Sequence, residues 1–138
     1  MAGTFQAHFL SAERTFYEGP MESVVVPTND GYYGILAHHS DVILAVVPGM
    51  LSYRLPGEET QYVFVSHGMT KVEGNEVLIL VNVAERPEEI DENRALREAE
   101  EAREAILQKK SIMEYRSAQA QLARAAGRLR TKHYVTRS

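Results

Sequence analysis

The hydrophobic positions of the chain follow one period in its first part and another after residue 90. In the first part, short β-branched and aromatic runs such as "SVVV", "DVILAVV" and "QYVFV" alternate with turn sequences such as Asn29-Asp30-Gly31 and Pro56-Gly57. Short strands separated by turns at close intervals are typical of an antiparallel β-sandwich or barrel. The run "VLILVNV" at 77–83 is continuously apolar, so we expect a central strand that is buried on both faces.

From Asp91 onward the spacing of apolar residues becomes helical. No glycine occurs before Gly127, and Ala, Glu, Arg and Gln, which all favour helix, dominate. The seams are Ala95, Ala99, Ala102 and Ile106, then Tyr115, Ala118, Leu122, Ala125 and Leu129. A break near Lys109-Lys110-Ser111 separates them, which predicts two helices in an antiparallel hairpin. Alanine seams bury little area, worth about 25 cal/mol per Å², so we expect the hairpin to be held weakly.

These patterns predict an α+β chain, mainly β and then α. We expect an N-terminal antiparallel β-sandwich domain at 1–86 and a C-terminal two-helix antiparallel hairpin domain at 87–138. A chain of 138 residues with 44% hydrophobic content can form either one ordinary domain or one small domain with an appendage.

Composition excludes several other classes of protein. The chain has no cysteine, which rules out a disulfide framework or a cysteine metal site. No apolar run reaches the length of a membrane span. The start "MAGTFQAHFLSAER" has no basic and then apolar segment, so we do not expect a signal peptide.

Charge is distributed unevenly along the chain, although the net charge is only −4. From Arg116 to Ser138 there is no acidic residue. The basic residues of this segment are Arg116, Arg124, Arg128, Arg130, Lys132 and Arg137. Such a segment indicates either an anionic partner or simply a solvated helix face, and the sequence alone leaves both interpretations open.

Motifs of catalysis and of metal binding do not stand out. The chain has no phosphate-binding loop, dinucleotide fingerprint or HExxH sequence. The adjacent His38 and His39 would point to opposite faces of a strand, which disfavours a shared metal ion. Ser66 in "VSHG" is predicted to lie in a hairpin turn and not in a nucleophile elbow. We therefore do not expect an enzyme.

The junction "EEIDENRALREA" at 88–99 carries the strongest candidate for a ligand site. Asp91 suits a helix N-cap, but Arg94 lies close to the positive end of the helix dipole, where a base is not favoured. One interpretation is a local Asp91–Arg94 ion pair worth about 0.2–0.5 kcal/mol. The other is an anion site in which Arg124 and Arg128 of the second helix converge on Arg94, because an antiparallel hairpin returns its end to its start.

The order of several motifs resembles the epsilon subunit of bacterial F-type ATP synthases. "GYYGILAHHSDVILAVVPGML" is similar to the family's G-x-x-G-I-L-x-x-H segment followed by Pro-Gly. "YVFVSHGMTKVEGNEVLILVNVAERPEEID" is similar to its S-G-G-x-x-x-V hairpin and central strand, although His67 replaces the first glycine of the pair. "IDENRA" at 90–95 matches the family's nucleotide-binding pattern I/L-D-x-x-R-A.

The resemblance implies a non-catalytic subunit on the cytoplasmic face of the bacterial membrane, attached through the ATP synthase and not inserted itself. The sandwich would link the gamma shaft to the c-ring, with Tyr32 and His39 as partner contacts. The hairpin would leave the motor free when folded down and would block ATP hydrolysis when extended. Arg116, Arg130 and Lys132 would then meet acidic surface on the alpha and beta catalytic subunits.

The resemblance also implies a regulatory ATP site, with or without Mg²⁺, on the folded-down hairpin. Its residues would be Glu85, Ile90, Asp91, Arg94, Arg124 and Arg128. Ile90 would pack on the adenine, Glu85 and Asp91 would accept from its amino group or organise Arg94, and Arg124 and Arg128 would meet the phosphates. Some family members carry an arginine near position 101, where this chain has Glu101, with Arg103 half a turn away.

Two other classes of function remain as alternatives at this stage. A small-ligand-binding adaptor would use the sandwich to dock a partner and the helices only as a cap. A nucleic-acid-binding protein would need a basic groove or an aromatic platform, which the acidic first part of the chain does not offer.

Overall fold

A computed structural model of the chain describes residues 3–108 and 111–137, with side chains up to Val135. It has ten strands in two sheets, followed by two helices. The predicted α+β class, with a sandwich and then a helical hairpin, is therefore confirmed. The predictions that concern Lys109, Lys110 and the side chain of Arg137 lie outside the described residues.

Each of the two sheets has five strands. The first sheet has the order β2-β1-β9-β8-β5, and the second has the order β10-β7-β6-β3-β4. Neighbouring strands are antiparallel except β1 and β9, which run parallel. The strands are β1 (Phe5–Ser11), β2 (Thr15–Met21), β3 (Ser23–Thr28), β4 (Gly31–Leu36), β5 (Val42–Val46), β6 (Gly49–Arg54), β7 (Gln61–Val65), β8 (Gly68–Glu73), β9 (Glu76–Val81) and β10 (Ala84–Glu85).

The core lies between the inner faces of the two sheets. Side chains alternate along each strand, so that in β1 Phe5, Ala7 and Phe9 are buried. The Phe9 and Phe16 rings pack with centroids 4.6 Å apart. Full burial of one such side chain is worth about 1.5–3 kcal/mol, which gives the sandwich a core of its own.

A 3-10 helix at Pro87–Glu89 connects the sandwich to α1 (Glu92–Gln108). Ser111 then caps α2 (Ile112–Arg137) by accepting a hydrogen bond at Oγ from the Glu114 N–H. All five alanines of the predicted seams are buried, which confirms the prediction at these positions: Ala95, Ala99, Ala102, Ala118 and Ala125. The predicted seam residue Tyr115 is instead 38% exposed, so the helices do not bury its ring.

The hairpin folds down onto the outer face of the second sheet, where α2 packs against β6 and β7. Gly127 allows this approach, because a Cβ atom there would lie 2.8 Å from Cε1 of Phe64 and 3.3 Å from Cα of Gly49. Phe64 is fully buried although it lies outside the sandwich core. Docking therefore depends on one aromatic ring fitting against a helix position that has no side chain.

Two details differ from the sequence predictions. The strand β9 is central in its sheet, but its outward side chain Leu80 is 42% exposed, so the prediction of burial on both faces is wrong. Ser66 does not lie in a hairpin turn, because β7 and β8 belong to different sheets. Its buried Oγ accepts a hydrogen bond from the Val83 N–H. This bond joins the segment between β7 and β8 to the residue just before β10. Among the described residues, neither helix has the length and apolar character needed to span a bilayer.

Candidate functional site at the strand-to-helix junction

Asp91 begins the site by capping α1. Its Oδ1 accepts a hydrogen bond of 3.0 Å from the Arg94 backbone N–H, which satisfies one of the free donors at the start of the helix. The local Asp91–Arg94 side-chain ion pair is not what forms, because the Arg94 guanidinium turns forward along the helix to Glu98.

Four charged side chains meet where the two helices approach the end of the sandwich. Arg94 Nε donates to Glu98 Oε1 at 2.9 Å. Arg128 Nε donates to Glu85 Oε1 at 2.6 Å, and its Nη1 lies 3.7 Å from Glu98 Oε2. The two arginines, one from the start of α1 and one from the last part of α2, therefore converge on a single carboxylate.

Arg128 is positioned by the sandwich as well as by the helices. Its guanidinium carbon lies 4.8 Å from the centroid of the Phe64 ring, within the range of a cation–π contact. Glu85 stands on β10, which pairs with the strand that carries Phe64. Because α2 docks through Gly127, the adjacent residue Arg128 is brought to this edge of the sheet.

Two cavities open at the cluster. One, of about 100 Å³, is lined by Glu85, Glu89, Asp91, Arg94, Ala95, Glu98 and Arg128. A second, of about 310 Å³, shares Glu85, Glu89 and Arg128 and extends along Ser11, Glu13, Arg14, Asn82, Val83 and Ala84. Both are lined mainly by charged and polar groups, which suits a charged ligand and not an apolar one.

Glu89 lies on the wall between the two cavities and is held as an anion. The Arg86 backbone N–H, and after it the Arg14 guanidinium, keep the pKa of the Glu89 carboxyl below its usual range. Arg86 in turn lies over the Phe16 ring, 4.3 Å from its centroid. These contacts attach the 3-10 helix to the sandwich and fix the place where α1 begins.

The structure brings together only part of the predicted nucleotide set. Glu85, Asp91, Arg94 and Arg128 line the smaller cavity. Ile90 is buried and is not among the residues that line either cavity. Arg124 is half-buried one helical turn before Arg128, and within the described residues it makes no ion pair.

The predicted partner contacts of the sandwich lie away from this cluster. Tyr32 is exposed on β4, the edge strand opposite β10 in the second sheet. His39 follows β4 and is held by the Tyr33 hydroxyl at 3.1 Å and by the Ser40 carbonyl at 2.7 Å.

The three residues of the predicted cationic strip are not equivalent. Arg116 and Arg130 are exposed on α2. Lys132 is half-buried, and its Nζ donates to the Pro87 carbonyl at 2.9 Å. Lys132 therefore contributes to the docked hairpin, whereas Arg116 and Arg130 face solvent.

Three residues of the site were missed by sequence reasoning. Glu98 carries a signal that could have been used, because it lies four residues after Arg94 on the same helix. Gly127 interrupts an otherwise good helical sequence, which indicates a packing reason for the glycine. Phe64 gave no signal, since nothing in a strand sequence marks the residue that a distant helix will cover.

The structure defines a class of small two-part protein, in which a β-sandwich carries a docked helical hairpin and a charged cluster lies where they meet. The match to known protein families has the same two parts. Residues 4–87 match the beta-sandwich domain of the ATP synthase delta/epsilon chain, and residues 88–132 match its long alpha-helix domain. The chain belongs to the ATP synthase delta/epsilon chain family, which confirms the resemblance noted in the sequence.

Individual relatives agree over nearly the whole length. The chain is 34% identical over 127 residues to the ATP synthase epsilon chain of Nitrosospira multiformis, covering 92% of this chain and 91% of that protein. It is 38% identical over 131 residues to ATP synthase epsilon chain 1 of Methylococcus capsulatus, covering 95% and 94%. Among solved structures, a chain of the Euglena gracilis mitochondrial ATP synthase has the same fold, with a TM-score of 0.82 and 20% identity over 99% of this chain and 82% of that chain.

Proposed function

We propose that the chain is a non-catalytic subunit of the central stalk of a proton-translocating F-type ATP synthase. In this role the sandwich couples the gamma shaft to the c-ring, and the hairpin inhibits ATP hydrolysis when it leaves the sandwich. The folded-down hairpin binds ATP as a regulatory ligand. The subunit works at the cytoplasmic face of the membrane, attached through the complex.

The observation that carries the regulatory part is the convergence of Arg94, Arg128 and Glu85. These residues come from α1, α2 and β10, and they meet only when the hairpin is docked. A ligand that contacts all three elements binds one state and not the other. It stabilises the docked state by RT ln(1 + [L]/Kd), which is how a ligand sets a two-state equilibrium.

The chemistry of the cluster suits a nucleotide. The planar guanidinium groups of Arg94 and Arg128 can hold phosphate oxygens in pairs. Carboxylates such as Glu85 and Asp91 can accept from an adenine amino group or take part in binding Mg²⁺ that enters with the phosphates. The larger cavity, of about 310 Å³, provides room beside Arg128 for the rest of the nucleotide.

The outer face of the first sheet supports docking on the rotor. Strand pairing places Lys71 between Ile43 and Leu78, and Leu80 between Met69 and Leu10. Ile43 is 68% exposed, and the hairpin covers the other sheet. Apolar side chains grouped on an exposed sheet face are typical of a protein–protein contact, and we assign this face, which also carries Lys71, to the rotor.

Two exposed cations of α2 support the inhibitory role. Arg116 and Arg130 are exposed in the docked state and so remain available to an acidic surface on the catalytic subunits when the helix extends. Each exposed pair would contribute only about 0–1 kcal/mol, but a weakly held hairpin needs little to shift it.

Calorimetric titration of the isolated chain with ATP tests the nucleotide site. Arg94→Ala should weaken binding by about 1.5–3 kcal/mol, the size of a hydrogen bond to a charged group. Arg97→Ala is the matched control, because Arg97 is an exposed arginine of the same helix that lines neither cavity of the cluster. Equal affinities of the two variants would rule out this location of the site.

A further inference from the structure

Glu98 makes more contacts across the junction than its place on an exposed helix would suggest. Its Oε1 accepts from Arg94 Nε at 2.9 Å, and its Oε2 lies 3.7 Å from Arg128 Nη1. Its backbone carbonyl accepts from Gln121 Nε2 at 3.4 Å. One residue of α1 is thus connected to α2 twice, through its side chain and through its backbone.

The carboxylate of Glu98 stands where both arginines direct their donors. The cavity that they line holds the acidic residues Glu85, Glu89, Asp91 and Glu98 against the two bases Arg94 and Arg128. A phosphate therefore does not meet free arginines. It has to replace an anion that the chain itself already supplies.

We propose that Glu98 is an internal competitor of the ligand: it holds the hairpin docked when no nucleotide is bound, and it yields Arg94 and Arg128 to phosphate when nucleotide arrives. This inference rests on the proposed function, because it concerns the same site. It assigns to Glu98 the control of how much nucleotide the site requires.

The two arginines would respond differently to an incoming phosphate. The Arg94 side chain is 71% exposed, so its pair with Glu98 is weak and its guanidinium can turn to a new anion at little cost. The Arg128 side chain is only 21% exposed and is also held by Glu85 and Phe64. Arg128 is therefore the fixed part of the site, and Arg94 is the part that changes partner.

A simpler account is that Glu98 only repels phosphate, as any nearby carboxylate would. That account also predicts tighter ATP binding when the charge is removed. It does not predict any loosening of the hairpin without nucleotide, because repulsion needs the ligand to be present. The two accounts are separated by a measurement on the nucleotide-free chain.

The experiment compares Glu98→Gln with Glu104→Gln in the full chain. Both variants remove one negative charge from α1, and glutamine and glutamate have similar helix propensity. Glu104 is exposed and lines neither cavity of the cluster. Hydrogen–deuterium exchange of the α1 and α2 amides without nucleotide reports docking, and calorimetric titration with ATP reports affinity.

We expect Glu98→Gln to speed exchange of the hairpin amides and to tighten ATP binding, each by roughly threefold to tenfold, the size of one or two partly exposed ion pairs. Affinity should rise despite the weaker docking, because the buried alanines and the Phe64 contact still keep most molecules docked. Glu104→Gln should leave both measurements unchanged.

Tighter ATP binding with unchanged exchange would overturn the proposal in favour of simple repulsion. Unchanged or weaker ATP binding by Glu98→Gln would contradict the proposal that Glu98 competes with phosphate for the two arginines. If neither the parent chain nor Glu98→Gln binds ATP, the proposed nucleotide site is wrong. The proposed competition between Glu98 and phosphate is then wrong as well. In that case faster exchange in Glu98→Gln would still support its role in holding the hairpin.

Discussion

The sandwich and the hairpin are held together by side chains of very different size. The sandwich core contains Phe5, Phe9, Met21 and Ile35, all essentially inaccessible to solvent. The buried residues of the helix seam are alanines, and α2 meets the sheet at a glycine. The area buried per residue is therefore much smaller in the hairpin, and charged contacts such as Arg128–Glu85 make up a larger share of its attachment. The sandwich is therefore expected to be much more stable than the attachment of the hairpin, which is what the proposed control by a small ligand requires.

The largest expected effect of a single substitution lies in the sandwich core. Phe9→Ala should lower the free energy of unfolding by about 3–5 kcal/mol, because it leaves a cavity beside Phe16 and Tyr53. Ala99→Gly in the helix seam should cost only about 1 kcal/mol, mainly through helix propensity. Urea unfolding followed by circular dichroism measures both, and similar losses in the two variants would contradict the contrast between the parts.

Removing α2 tests the same comparison in the assembled enzyme. A chain that lacks residues from 111 onward should keep a folded sandwich, assemble and remain coupled, because among the described residues no helix residue belongs to the sandwich core. ATP hydrolysis by that enzyme should rise several-fold, since the deletion removes the helix that we propose as the inhibitor. An unfolded truncated chain would show instead that the hairpin is part of the core.

Neutralising two exposed arginines of α2 tests whether the proposed inhibition is electrostatic. Arg116→Gln with Arg130→Gln should also raise hydrolysis, and should leave ATP binding to the isolated chain unchanged because both side chains are exposed and away from the cluster. Lys132 is left intact, since its bond to the Pro87 carbonyl belongs to the docked state. Hydrolysis no faster than in the parent enzyme would mean that the helix blocks by its bulk alone.

Gly127→Ala should loosen docking by about 1–3 kcal/mol, because the new methyl group would lie 2.8 Å from the Phe64 ring. Exchange of amides near the docking surface should become faster while the sandwich stays stable. Adding Phe64→Leu should restore part of the docking by making room. Ala126→Val on the exposed neighbouring position is the control, and a loosening as large as that of Gly127→Ala would argue against the glycine contact.

The smallest expected effect is that of pH on the docking of the hairpin. A hydrogen bond with Tyr134 raises the pKa of the Tyr62 hydroxyl above its usual value of 10.0. The docked state therefore favours the neutral phenol. The contribution of this hydrogen bond to docking is complete below the usual pKa and is lost as the pH rises through the raised pKa.

Because the chain has no cysteine, labels on cysteines introduced at Ser117 and Glu58 can follow docking by energy transfer. Docking should weaken as the pH rises above about 10, and less so in Tyr62→Phe.

The sequence predicts the two parts well because each follows a simple period. Alternation along strands and seams such as Ala95, Ala99 and Ala102 are local properties, and the structure buries these alanines as expected. The outward exposure of Leu80 was not predictable in the same way. A continuous apolar run has the same sequence pattern whether its outer face is covered by the rest of the chain or remains exposed.

The site was predicted less completely because its partners are far apart in sequence. Arg128 and Glu85 are separated by 43 positions, and only the docked hairpin brings them together. The partner of Arg94 could not be chosen from the sequence, because Asp91 and Glu98 lie at almost equal reach on the helix. Asp91 is excluded only by its use as the helix cap.

The placement of Arg128 has a consequence for the time course of the proposed detachment of the hairpin. Its side chain touches a ring on β7, a carboxylate on β10 and a carboxylate on α1, and all three contacts require the same position of α2. A helix that moves away by a short distance loses them together, so partly detached positions gain nothing from any of them. We therefore expect the hairpin to leave and return in single steps, and a trace from one molecule to jump between two levels with few points between them.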